Sequence, residues 1–266
     1  MDSNLVIQKE KSLVNAVYRL TLDEQRLFHY AIAKVNPFRY KNGDMYQISI
    51  GDVIKFYSIA SGDAYQHLYG ALNRLFDRKC TYYDPEKESW ITCHLVARIM
   101  DNKKGLVGFS FTDEIGDLIS SDKDFLSYKL SQTVNITSVN ANRLYEILLF
   151  SLQRCPVNKL TKKMSVGELK KLMGLSDKYE RFFHFKDRVL EVSESQINKH
   201  TDIRMRYEII KEGRTPSHIK FTAQFKKGQE PGSVEFQDEL PIDDAKTLSR
   251  EESKKKLSLI RDGLKI

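Results

Sequence analysis

The chain has only three cysteines, Cys80, Cys93 and Cys155, and no CxxC spacing. An odd number without that spacing excludes a disulfide framework and a structural zinc site of that pattern, and leaves the thiols as small apolar fillers in a reducing compartment. There is no long hydrophobic run. The most apolar helical stretch, "YEILLFSL" at 145–152, is far too short to span a bilayer. The opening "MDSNLVIQKEKSLV" carries charges where a signal peptide needs an apolar core. These absences predict a soluble, cytoplasmic protein with no membrane partner. No GxxxxGK[ST] phosphate loop occurs, which argues against ATP-driven work by this chain. The six histidines include no closely spaced pair, so Tyr82-Tyr83 reads as part of an alternating strand and not as a nuclease's nucleophile beside a histidine-held metal. Asp243-Asp244 lies in a stretch with nothing to fix catalytic geometry. No catalysis, cofactor or metal is expected.

What is present points to a folded protein with an anionic partner. Apolar residues make up 41% of 266, with 14 Phe and 13 Tyr, enough for one large core or two ordinary ones. The formal net charge is +7, and it is unevenly spread: residues 228–266 carry −2, so residues 1–227 carry +9. A basic globular body favours a polyanion.

The order of elements repeats. "LTLDEQRLFHYAIAKV" (20–35) is a helix with Thr21 and Glu24 as a capping box; "MYQISI" is a short strand; "GDVIKFYSI" and "DAYQHLYGALNRLFDRK" are helices. "TYYD", "SWITCHLVARIMD" and "GLVGFSFTD" read as three strands, with "DNKKG" turning between the last two. The second half runs the same way. "VNANRLYEILLFSLQRC" is a helix and "KKMSV" a strand. "SVGELKKLMGLSDKYERFFHFKDRVL" (165–190) reads as two short helices about a Gly-centred corner, and "IRMRYEII" and "HIKFTAQF" as strands. Ile203, Met205, Tyr207 and Ile209 share one face of the first strand, and Ile219, Phe221, Ala223 and Phe225 one face of the second. Arg26-Leu27-Phe28 matches Arg143-Leu144-Tyr145, and Ser49-Ile50-Gly51-Asp52-Val53 matches Ser165-Val166-Gly167-Glu168-Leu169. The shared order and spacing predict an internal duplication. After Phe225 the chain turns acidic and rich in Gly and Pro, which reads as a flexible tail, with "SREESKKKLSLIRDGL" able to form a last short helix.

Helix, turn, helix and β-hairpin, braced by a preceding helix, is the winged form of the helix-turn-helix, whose second helix enters the DNA major groove. The fold class expected is α+β: two tandem winged-helix domains related by duplication. The first covers 1–135, with dimerisation or auxiliary DNA contact as its task, the second 136–227, with the main DNA contact, and the tail 228–266. With Val189 at the centre of the buried face of the second helix, Phe182 and Phe185 fall within about 40° of it. Glu180, His184, Asp187 and Arg188 then point away, with Arg181 on the flank. This exposed mixture of Arg, His and acid leans towards base readout, since Arg forks onto guanine and an acid accepts only from cytosine; an ordinary solvated helix face is the competing reading. The hairpin tips the balance: Lys211, Arg214 and His218 flank its tip and Arg204, Arg206, Lys220 and Lys226 its strands, and residues 176–227 are net +4. In the first copy His67, Asn73, Arg74, Arg78 and Lys79 offer an auxiliary DNA or dimer contact.

The stretch "YRLTLDEQRLFHYAIAKV", together with "YERFFHFKDRVLEVSESQINKHTDIRMRYEIIKEGRTPSHIKFTAQF", resembles the iteron-binding replication initiators, the Rep proteins of theta-replicating plasmids. The resemblance covers roughly residues 5–227. It implies binding of double-stranded DNA at directly repeated origin sites, and contact with a host replication initiator and the replicative helicase. It also implies a monomer that initiates in equilibrium with a homodimer that represses its own promoter. Carried over by position, Arg181, His184, Lys186, Arg188 and Arg214 are the DNA contacts; with Lys178, Arg204, Arg206, Lys211 and Lys220 they form the expected binding set. Val192-Ser193 departs from the Pro-Ala common in the family after "VLE", and Ser193 on a buried flank is expected to loosen the helix. A transcriptional repressor without a role in initiation is the alternative, and a DNA-cutting enzyme a third possibility.

Overall fold

Two serines at corresponding places start the helix-turn-helix of each half. In the computed structural model, which describes residues 5–60, 62–101 and 105–229, Ser49 and Ser165 each cap a helix by accepting from the backbone N–H three residues on, at 3.2 and 3.1 Å. Glu168 also reaches back to the Ser165 N–H, closing a capping box. The chain begins with β1 (Val6–Glu10), the single turn α1 (Lys11–Val14) and α2 (Leu22–Lys34), whose Thr21–Glu24 capping box is formed as expected. It continues through β2 (Tyr46–Ser49), α3 (Ile50–Phe56), α4 (Ala64–Phe76), β3 (Lys79–Asp84), β4 (Ser89–His94), β5 (Val96–Asp101) and β6 (Leu106–Phe111). Then come α5 (Asp113–Ser120), β7 (Phe125–Lys129), α6 (Val139–Leu152), β8 (Lys159–Ser165) and α7 (Val166–Leu172). A long helix follows, α8, made of Phe182–Phe185, a π-helical stretch Lys186–Glu191 and Val192–His200; β9 (Ile203–Glu212) and β10 (Thr215–Phe225) close the described chain.

The duplication is visible in sheet topology. The three-stranded sheets have the orders β2-β6-β5 and β8-β10-β9, each antiparallel, so in both halves the strand before the helix-turn-helix pairs with the last strand of the wing. The first half carries in addition an inserted hairpin, β3–β4, and a two-stranded sheet, β1-β7. The sequence reading of "SWITCHLVARIMD" as one strand is therefore corrected: Leu95 is fully buried, its N–H bonds the Arg78 carbonyl at 2.9 Å, and the chain passes there from one sheet to another. The alternating faces of the last two strands are as expected, with Ile219 opposite Ile209, Phe221 opposite Tyr207, Ala223 opposite Met205 and Phe225 opposite Ile203. Sequence periodicity did not single out β1, α1, α5 or β7. Cys80 and Cys93 are buried opposite each other across β3–β4, as free thiols with sulfurs 3.7 Å apart. Among the described residues no helix is long and apolar enough to cross a membrane. The proposed tail helix lies outside the described residues, as does all of the tail from residue 230 onward.

The halves meet along α2 and α6, and duplicated positions touch their own counterparts. Gln25 accepts from Asn142 at 3.0 Å, and His29 Nε2 stands 3.4 Å from Glu146 Oε1, both pairs 117 residues apart. Around Glu146 a fully buried charge cluster forms. Lys9 Nζ donates to Glu146 at 2.5 Å and to His29 Nε2 at 2.9 Å, and the Tyr128 hydroxyl donates at 2.8 Å. Arg143 donates to Glu146 at 3.2 Å, to the Tyr18 hydroxyl at 2.8 Å, and to the carbonyls of Val14, Ala16 and Leu172 at 2.9 to 3.4 Å. A guanidinium carries five N–H donors; this one spends those of its two terminal nitrogens on Glu146, on the segment joining β1 to α2 and on the end of α7, tying both halves together, while its Nε is buried without a partner.

Candidate nucleic-acid interface

The corner between α7 and α8 forces the second helix outward. Gly174 has φ +66, and a Cβ there would stand 2.9 Å from the Tyr18 carbonyl oxygen, so both the conformation and the close approach require glycine. Arg19 clamps the same corner, donating to the Gly174 carbonyl and pairing with Asp177. Just before α8, Tyr179 sits in the left-handed region at φ 56, costly for a bulky side chain. Lys170 holds it by donating to its carbonyl at 2.9 Å, and its ring packs 6.2 Å from Phe185.

The helix that emerges is longer than the sequence pattern predicted. Phe185, Val189, Leu190, Ser193 and Ile197 form its buried face, so the placement of Val189 and Phe185 inward is as expected. Arg181, Asp187 and Arg188 are exposed and His184 is half-buried, while Glu180 precedes the helix. Over Lys186–Glu191 the turn widens to the π form, and the ion pair made there is Lys186–Glu191, five residues apart, the spacing of a π turn. Lys186 thus has a partner within the helix. The Ser193 hydroxyl is fully buried without a hydrogen-bond partner, and the helix runs through it unbroken, so the expected loosening at this position is not seen.

The hairpin β9–β10 turns at Gly213, φ +61, with Lys211, Glu212 and Arg214 exposed at the tip. His218 lies back from the tip, half-buried, with Nδ1 3.0 Å from the Ser217 hydroxyl. Arg204, Arg206 and Lys220 do not stand at the tip. They occupy the face of the β8-β10-β9 sheet opposite its apolar side, where Arg204 lies beside Gln224 and Arg206 beside Thr222, and Lys220 pairs with Glu208 at 3.1 Å. Lys178, Arg181, Arg188, Lys211 and Arg214 form no ion pair among the described residues, so α8 and the wing tip present uncompensated positive charge.

In the first half the corresponding helix is α4. His67, Asn73 and Lys79 are exposed, as an auxiliary contact requires. Arg74 and Arg78 have another task. Both donate to the buried carboxylate of Glu24, Arg74 through Nε at 3.0 Å and Arg78 through Nε and Nη2 at 2.9 and 3.0 Å. Burial alone would raise the Glu24 carboxyl, and these two guanidiniums with the Thr21 N–H bring it below its ordinary value. They brace α4 on α2. The sequence singled them out as cations on a second helix; their partner, about fifty residues earlier, was read only as a cap.

Sequence reading missed Phe183 of α8, 67% exposed and standing between Arg181 and Lys186 in sequence. It was passed over as one more aromatic in "RFFHF", although its spacing from Val189 already set it off the buried face.

Comparison with known proteins adds to this geometry. A replication initiation protein of Escherichia coli is 25% identical over 231 residues, covering 84% of this chain and 70% of that one. The crystal structure of Pi initiator protein in complex with iteron DNA superposes with a TM-score of 0.71 at 21% identity, covering 85% of this chain and all of that one; at this identity the likeness concerns the fold. The family model described as initiator replication protein, WH1, matches residues 6–149, and its companion, initiator Rep protein, WH2, matches residues 165–223. Two winged-helix domains in tandem, over most of the described chain, make this protein a member of the initiator replication protein family.

Proposed function

We propose that this chain starts replication of a plasmid by binding directly repeated sites, iterons, at the origin. The observation that carries the reading is the unpaired positive charge on the exposed start of α8 and on the wing tip, in a chain of the initiator family. Arg181 and Arg188, with His184, face base edges in the major groove, since the N-terminal residues of such a helix reach the bases. Lys178, Lys211 and Arg214 hold backbone phosphate. Arg204, Arg206 and Lys220 add to the positive field of the second domain at longer range. His67, Asn73 and Lys79 on the first half contact the same duplex or a second copy of the chain. Occupancy of successive repeats promotes origin opening and recruitment of the host initiator and replicative helicase, and a dimeric form represses the chain's own promoter. The chain acts by assembly, without breaking a covalent bond.

Binding of the purified full chain to duplexes carrying tandem origin repeats, against shuffled duplexes of equal length, tests this. Tight binding to repeats, falling steeply with salt, is expected; equal affinity for both duplexes contradicts it. Deleting the gene from a small replicon separates initiation from repression alone, because a repressor is dispensable for copying. Supercoiled origin DNA incubated with the protein and a divalent metal should remain un-nicked.

A further inference from the structure

Phe183 is an apolar side chain in the wrong surroundings for a core residue. Its neighbours Phe182 and Phe185 pack against one another at 6.1 Å, and Phe185 is fully buried. Phe183 faces outward, 67% exposed, and among the described residues its one aromatic neighbour is the His184 ring, 5.6 Å away. It occupies the second residue of α8, the end of such a helix that reaches base edges. Exposed Lys178, Arg181, Asp187 and Arg188 surround it in sequence, and no other exposed large apolar residue lies on this helix. An apolar protein partner would need a contiguous patch. A single ring on a charged face of three cations and one acid fits a polyanion that offers one apolar feature at a time, and the major groove offers one such feature, the 5-methyl group of thymine.

We propose that Phe183 is a specificity-determining residue that packs on a thymine methyl in each bound repeat. The inference rests on the DNA-binding reading above. Within that reading it divides the labour on α8: the arginines fork onto guanine or hold phosphate, and Phe183 selects a T·A pair by apolar contact. Deoxyuridine keeps every hydrogen-bonding group of thymine and lacks only the methyl, so it isolates this contact.

The test uses the full chain and repeat-bearing duplexes in which each thymine is replaced in turn by deoxyuridine. At one position per repeat, wild type should lose about fourfold in affinity, the value of one buried methyl-sized group. The Phe183→Ala variant should bind the unmodified repeat about tenfold more weakly, be indifferent to deoxyuridine at that position, and keep the wild-type salt slope because no phosphate contact is lost. Phe183→Leu should regain part of both the affinity and the discrimination. The proposal is overturned if no deoxyuridine position weakens wild type, or if Phe183→Ala keeps the wild-type deoxyuridine profile. Failure of the underlying reading looks different: wild type would not distinguish repeats from shuffled duplex at all, and the proposal would fall with it.

Discussion

Glu146 and His29 show how far a side chain's ordinary chemistry is altered here. Burial alone would raise the Glu146 carboxyl, but Lys9, His29 and Arg143 outweigh it and hold the group at about 2. Burial, with the Lys9 ammonium alongside, pushes the His29 imidazole down to about 3, so at neutral pH it is uncharged and its Nε2 accepts from Lys9. Both folded values lie below those of the unfolded chain, so the unfolded state takes up protons first as pH falls. The His29 contribution is fully present above about pH 6.5 and is lost from there towards pH 3; the Glu146 contribution is lost below about pH 4.3. Urea unfolding across pH should show no further gain from these two groups above about pH 7 and a fall of several kcal/mol by pH 3. His29→Gln, which keeps an acceptor for Lys9, should flatten the upper part of that fall and spare the lower; an unchanged profile would show that the imidazole is not the group responsible. At the interface, Arg214→Ala should weaken binding to all sequences alike and reduce the salt slope by about 1. None of the buried cluster was legible in the sequence, because a lysine in "VIQKE" reads as surface until its partner, 137 residues away, is known.

At the scale of elements, what could be read locally was read correctly. The Thr21–Glu24 capping box depends on residues three positions apart, and the alternating faces of β9 and β10 on neighbours two apart; Ser49 and Ser165 were matched as counterparts, and the structure makes both of them caps. What failed depended on distant contacts. The alternation of "SWITCHLVARIMD" runs unbroken through Leu95, and only the bond to the Arg78 carbonyl divides it. The length of α8 and its π turn were hidden because Ser193 and the polar run "SESQINKH" look unfavourable for a buried helix. Ser193 also gives this scale its prediction. Its buried hydroxyl has no partner, so Ser193→Ala should stabilise the protein by about 0.5–1 kcal/mol in chemical denaturation, from better helix propensity and a relieved polar group. Destabilisation would mean that the hydroxyl is satisfied by a water.

The described chain is two copies of one plan joined at their equivalent helices, and the shared order and spacing of elements disclosed the duplication. The joint itself was not disclosed: Gln25 with Asn142 and His29 with Glu146 look like unrelated polar residues until α2 and α6 lie together. Arg143 is the centre of that joint. Arg143→Ala should cost about 3–5 kcal/mol, since it removes one of the donors to the buried Glu146 carboxylate and leaves three carbonyls without this partner. Loss of a single cooperative unfolding transition would accompany it, seen as two steps in urea. The central claim is that a molecule so joined sets α8 into the major groove of its target. Guanine-N7 methylation interference on repeat-bearing origin DNA, with wild type and Arg188→Ala, tests it most directly. The account predicts interference at guanines recurring once per repeat in wild type, with one of those guanines becoming silent in the variant and specific affinity falling by about 1–3 kcal/mol. Interference absent from the repeats, or identical in both proteins with affinity unchanged, would contradict it.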